Sequence, residues 1–161
     1  MIRKMEYKDI DKVLSILAEA IVEGNSTFKR KVPTVDDWDK GHIHECRFVK
    51  VINDEVVGWV ALSKGKSTSP AYDGVCEVSI YISSKNRGQG IGDELLKAVI
   101  KESENNGYWL LESIIFSDNT ASINLHIKNG FEVIGRRKSI ARDIFGNWRD
   151  VTLLDRRSDY Y

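Results

Sequence analysis

The chain has 161 residues, 42% of them hydrophobic and 30% charged, the size and mix of one globular domain with a real core. Lys+Arg and Asp+Glu both count 24, which removes any general electrostatic case for nucleic acid or an anionic membrane and makes anion specificity a local matter. Cys46 and Cys76 lack C-x-x-C spacing, no stretch approaches 18 apolar residues, and Met1-Ile2-Arg3-Lys4 opens without an apolar core. No metal site, no membrane span and a reduced cytoplasm are therefore the expectations.

In chain order, residues 1–5 read as a strand, followed by a helix from Asp9 to Glu23 with Ile10, Val13, Leu14, Leu17 and Ile21 at helical spacing. A polar segment, Gly24 to Lys31, leads to a second helix after Thr34, a residue suited to capping it. Phe48–Ile52 and Val56–Leu62 form a hairpin around Asn53-Asp54-Glu55, and 63–74 is a loop rich in Ser, Gly and Lys. Next come a strand over 75–82, a glycine loop, and a helix from Ile91 to about Asn106 with Leu95, Leu96, Val99 and Ile100 inward. A strand near 109–116, a short helix 119–129 and strands 131–140 and 148–155 complete the chain. No linker or repeat divides it, so 1–161 is expected to be a single domain, a mixed α/β sheet covered on both faces. The basic groups Arg136-Arg137-Lys138 and Arg156-Arg157 read as solvated strand ends.

The run from 75 to 93 is the most informative: a β-branched strand, a short polar turn, then glycines 88, 90 and 92 opening onto a helix. Glycines admit close backbone approach and unusual φ values, and the helix start offers free N–H groups and a positive dipole end to an anion, with phosphate or pyrophosphate the natural guest. A Walker loop needs Lys-Ser/Thr after its last glycine, whereas Asp93 and Glu94 follow here. A dinucleotide loop needs G-x-G-x-x-G directly after the strand, whereas the spacing is G-x-G-x-G after a five-residue turn.

Arg87-Gly88-Gln89-Gly90-Ile91-Gly92 fits R/Q-x-x-G-x-G/A, the acetyl-CoA pyrophosphate loop of the GNAT acetyltransferases. With Glu77-Val78-Ser79-Ile80-Tyr81-Ile82 before it and Asp118-Asn119 through His126-Ile127-Lys128-Asn129-Gly130-Phe131 after it, the chain resembles the phosphinothricin acetyltransferase-like branch of that superfamily. Asn25-Ser26-Thr27-Phe28 and Gly146-Asn147-Trp148-Arg149-Asp150 extend the likeness to essentially the whole chain. The resemblance implies an α/β (α+β) GNAT fold, a mostly antiparallel seven-stranded sheet splayed between strands 4 and 5 and flanked by about four helices. It implies an N-acetyltransferase moving acetyl from acetyl-CoA, with no metal, to the primary amine of a small amino-acid-like molecule, in a homodimer. Acetylation of a protein N-terminus or lysine, and a non-catalytic acyl-CoA sensor, are the rival readings.

Alternation puts Cys76, Val78, Ile80 and Ile82 on one strand face and Val75, Glu77, Ser79 and Tyr81 on the other. Glu77 alone reads as a solvated sheet residue or as a base; the resemblance implies the general base. His126, on the helix two turns beyond Asn119, is implied as the acid that protonates the departing thiolate, or alternatively as a second base. Cofactor contacts implied are Arg87, Gly88, Gln89, Gly90, Ile91, Gly92, Asp93, Asn119 and Lys128. The amides of Ile80, Tyr81 and Ile82 would pair with pantetheine in a splayed sheet. Asn25, Thr27 and Phe28 are the implied substrate loop. Relatives that acetylate phosphinothricin carry arginines before the Glu strand; 63–74 has Lys64 and Lys66 but no Arg, a point charge without a fork.

Overall fold

The computed structural model describes residues 1–161. Seven strands, β1 (Ile2–Lys4), β2 (Arg47–Ile52), β3 (Glu55–Lys64), β4 (Val75–Ile82), β5 (Leu110–Phe116), β6 (Glu132–Arg142) and β7 (Trp148–Arg157), form one sheet in the order β1-β2-β3-β4-β5-β7-β6. All neighbours are antiparallel except β4 and β5, which are parallel and joined by the crossover helix α3 (Ile91–Asn105). Helices α1 (Ile10–Glu23) and α2 (Val35–Gly41) cover one face, while α3 and α4 (Thr120–Lys128) cover the other. The seven-stranded mixed sheet with four helices is the expected GNAT fold.

Each face has its own core. Ile10, Val13, Leu14, Ile16, Leu17 and Ile21 on α1 meet Trp38, Val49, Trp59 and Ala61. Opposite, Leu95, Leu96 and Val99 on α3 meet Val60, Leu62, Cys76, Val78 and Leu111. At about 1.5–3 kcal/mol per fully buried large aliphatic, these two layers hold the sheet between them. Local signals agree with the packing. Gly24 ends α1 in the left-handed region at φ 69°, Thr34 Oγ1 accepts from the N–H of Asp37 at 3.1 Å, and Asn53 and Asp54 take positive φ in the two-residue hairpin turn.

The last two strands are longer than the sequence pattern predicts. Register shifts between Val133 and Gly135 and between Arg137 and Ala141 interrupt β6, so its side chains do not alternate cleanly and the period-two signal fails. Arg136-Arg137-Lys138 therefore lies in the middle of an edge strand, not at a strand end. Arg156 is no solvated end either: it is mostly buried, bonding Glu104 at 2.7 Å and the carbonyl of Asn129 at 3.2 Å. No helix is long and apolar enough to cross a membrane.

Candidate active site

Strands β4 and β5 pair at only three positions, Val75↔Leu110, Cys76↔Leu111 and Glu77↔Glu112, and then separate. A cleft of about 900 Å³ opens beyond Glu77 and runs toward the start of α3. Alternate residues of a strand direct their N–H and C=O to opposite edges. The N–H of Ser83 bonds Val57 on β3, so Tyr81, Ser79 and Glu77 also face β3, and it is Val78, Ile80 and Ile82 whose backbone groups face the cleft. The Tyr81 amide, expected to face the cleft, is thus turned to β3, and the Val78 amide faces the cleft instead. The Tyr81 ring packs on Trp59 at 5.2 Å.

At the open end of the cleft, Gly88 (φ 74°) and Gly90 (φ 78°) are left-handed, and a Cβ built on either would meet nothing within 4 Å. Their requirement is conformational, and the space above them is free for a ligand. Gly92 is different: it lies within α3 at ordinary helical φ, and a Cβ there would stand 2.8 Å from Leu125, so it serves close packing of α3 on α4. Ile91 is a core residue, 2% exposed, with only its backbone to offer, and Gln89 is exposed outside the cleft lining.

Charges around this loop are already engaged. Arg87 is held bidentately by Glu23 at 2.9 Å on both contacts, and Glu19 accepts from the N–H of Ser84 at 2.9 Å, so α1 anchors the loop. The Asp93 carboxylate lies against Lys97 (2.6 Å), Asn129 (3.0 Å) and Lys128 (3.5 Å), and these partners, Lys97 first, hold its pKa down at about 2. Its negative charge beside an anion site is thereby offset, and its backbone N–H remains for the anion. Lys128 lines the same end.

The proton-transfer candidates line the cleft from two elements, Glu77 on β4 at the closed end beside the last β4–β5 rung and His126 on α4. Glu77 is half-buried and lines the cleft on the α1 side of the sheet. Its register partner Glu112 is itself opposite Asp155, so three carboxylates cross the sheet in a row. Burial first, then Asp155 and Glu77, push the Glu112 pKa up. His126 is 2% exposed, packed edge-on to Phe131 at 4.9 Å. Its Nδ1 lies 2.7 Å from the carbonyl of Ser122; a carbonyl only accepts, so Nδ1 carries the proton and Nε2 is left bare. Burial pulls its pKa below the ordinary value, with the Ser122 bond opposing. A neutral imidazole with a free Nε2 accepts a proton more readily than it gives one. Asn119 is the N-cap of α4, its Oδ1 accepting from Ser122 N–H at 3.3 Å.

The third part of the site comes from Asn25, Thr27 and Phe28, all lining the cleft, with Phe28 against Phe116 at 4.6 Å. This segment is braced by the β6–β7 turn: Arg30 reaches the carbonyls of Arg142 (3.4 Å) and Asp143 (3.5 Å), and a Cβ on Gly24 would run into Phe145 at 2.9 Å. Sequence reasoning missed Lys29, an exposed lysine without an ion-pair partner that lines the cleft. Lys64 is turned away, donating to the carbonyl of Asp73 at 3.0 Å over the Tyr108 ring.

Comparison with known proteins accords with this geometry. Residues 12–131 match the model of the acetyltransferase (GNAT) family. The L-methionine sulfoximine/L-methionine sulfone acetyltransferase of Pseudomonas aeruginosa is 29% identical over 166 aligned positions, covering 98% of this chain and 94% of its own. The phosphinothricin N-acetyltransferase of Alcaligenes faecalis is 30% identical over 167 positions, covering 96% and 81%. A solved phosphinothricin acetyltransferase from Sinorhizobium meliloti, in complex with acetyl-CoA, superposes with a TM-score of 0.87 at 25% identity over 98% of this chain and 87% of that one.

Proposed function

Because the chain belongs to the acetyltransferase (GNAT) family, we propose that it moves the acetyl group of acetyl-CoA to the primary amine of a small amino-acid-like molecule. The observation that carries this reading is the splayed β4–β5 edge ending at two left-handed glycines on the N-terminus of a helix. Such a cleft fits a long ligand with an anionic end. Gly88 to Asp93 would hold the pyrophosphate through backbone N–H groups, and the edge of Val78, Ile80 and Ile82 would pair with the pantetheine amides as a neighbouring strand does. Bound there, acetyl-CoA supplies an activated thioester.

Glu77 removes the proton from the acceptor ammonium, directly or through a water, so that the free amine attacks the thioester carbonyl carbon. A cleft-facing N–H of β4 stabilises the charge that develops on the carbonyl oxygen. As the C–S bond breaks, the thiolate needs a proton. The bare Nε2 favours His126 as the second base of the two alternatives, one that takes a proton from the attacking nitrogen and returns it to sulfur.

An amino-acid-like acceptor suits the opposed charges of the cleft lining: the carboxylate of Glu77 for the ammonium, and Lys29 for a carboxylate. Lys29 is a single point charge, which disfavours phosphinothricin itself as the natural acceptor. Release of thiol from acetyl-CoA across a panel of amino acids, their sulfone and sulfoximine analogues, and peptides tests the reading. Turnover confined to small acceptors supports it; turnover only with peptides moves it to protein acetylation, and acetyl-CoA binding without turnover moves it to a sensor. A homodimer is part of the proposal, resting on the exposed Val133, Ile134, Phe145 and Trp148 of the last two strands and their turn, and sedimentation at micromolar concentration decides it.

A further inference from the structure

One side chain of the cleft has no partner. Ser113 is 3% exposed and lines the cleft, and its Oγ makes no hydrogen bond within the protein. Only two other buried side-chain atoms are in that condition, the indole nitrogens of Trp38 and Trp59, and neither lines the cleft. Leaving a buried hydroxyl unbonded costs about 1–3 kcal/mol, so such a group inside a binding cleft calls for a bond that the ligand completes.

Its position says which part of the ligand. Glu77↔Glu112 is the last rung between β4 and β5, and Ser113 is the next residue on β5, at the closed end of the cleft. The glycine cradle lies at the other end, beyond an unpaired β4 edge of five residues, about 16 Å of strand. A ligand anchored by its phosphates at Gly88–Gly92 puts its far end, the acyl thioester, beside Ser113. Around the hydroxyl, Val78, Ile80 and Ile115 give the cleft apolar walls.

We propose that Ser113 Oγ–H donates a hydrogen bond to the acyl carbonyl oxygen of the bound thioester, so that the site distinguishes acyl-CoA from free CoA. This rests on the reading of the cleft as the acetyl-CoA site. The hydroxyl adds a side-chain donor to the backbone N–H of β4, and it is satisfied only when an acylated donor is present.

Calorimetric titration of wild type and Ser113→Ala with acetyl-CoA and, separately, with CoA tests it, alongside the melting temperature of each protein alone. The expected result is a loss of about 3- to 12-fold in acetyl-CoA affinity for Ser113→Ala, with CoA affinity unchanged. The unliganded variant should melt no lower than wild type, because an unsatisfied group has been removed. Ser113→Cys, similar in shape but a weak donor, should repeat the selective loss. Equal losses for both ligands, no loss for either, or a melting temperature lowered by several degrees would overturn the assignment while leaving the cleft reading intact. Wild type binding neither ligand would overturn both.

Discussion

The two ends of the cleft are built on different principles. At the end proposed for the acetyl donor nearly every group available to a ligand is backbone: the N–H groups at the start of α3, the left-handed glycines 88 and 90, and the free edge of β4. Side chains there, Arg87 and Asp93, are neutralised by partners within the protein. At the end proposed for the acceptor the groups are side chains, Glu77, Lys29, Phe28 and His126, carried by three separate segments, β4, the loop after α1, and α4. A backbone site fixes one ligand shape that many sequences can reproduce; a side-chain site can be rewritten residue by residue while the fold stays the same.

The sharpest way to break this comparison is Gly90→Val. A β-branched residue at φ 78° is strained, and its side chain occupies the space the ligand needs. Acetyl-CoA binding is expected to fall below calorimetric detection in a domain that remains folded by circular dichroism. Unchanged affinity would mean that the donor end does not depend on its backbone.

At the other end, Glu77→Gln should lower kcat/KM by about 10² to 10⁴ with acetyl-CoA affinity hardly changed. Raising the pH should restore part of the rate, because an acceptor amine then arrives deprotonated. Full activity at neutral pH on a protonated acceptor would return Glu77 to a structural strand residue.

Lys29→Gln should raise the KM for a carboxylate-bearing acceptor by about 3- to 10-fold, leave kcat nearly intact and leave the KM for a carboxamide analogue unmoved. The same shift for both acceptors would remove Lys29 from recognition.

The smallest effect concerns the carboxylate row. The Glu112 pKa is raised in the folded protein, so ionising it opposes folding above that pKa, and the penalty is relieved as pH falls through it. Glu112→Gln should therefore stabilise the protein at neutral pH by no more than about 1 kcal/mol in urea denaturation, and the gain should fade in acid. A loss of stability instead would indicate a bond made by the Glu112 carboxylate.

The same contrast explains what was legible in the sequence. Strand, loop and α3 are contiguous, and glycine spacing is a direct print of backbone conformation, so the donor end was readable, apart from Gly92, whose need is the Leu125 contact, and Tyr81, whose amide direction depends on pairing with β3. The acceptor end brings residues 24–30 against the β6–β7 turn more than 110 positions away. No local pattern encodes that. Lys29 looks like any surface lysine until the turn meets it, and Ser113 like any strand serine until the cleft leaves its hydroxyl alone.

The bulged edge strand β6 has a consequence for the protein in concentrated solution. An outermost strand of eleven residues, with Val133, Ile134 and Ile140 exposed, is a template on which further chains could stack edge to edge into fibrils. Two interruptions of its register and the consecutive cations Arg136, Arg137 and Lys138, the first tied back to Asp150, spoil that template in its middle. Replacing those cations with β-branched apolar residues would leave the cleft lining untouched and should speed the deposition of the protein on storage, read by light scattering.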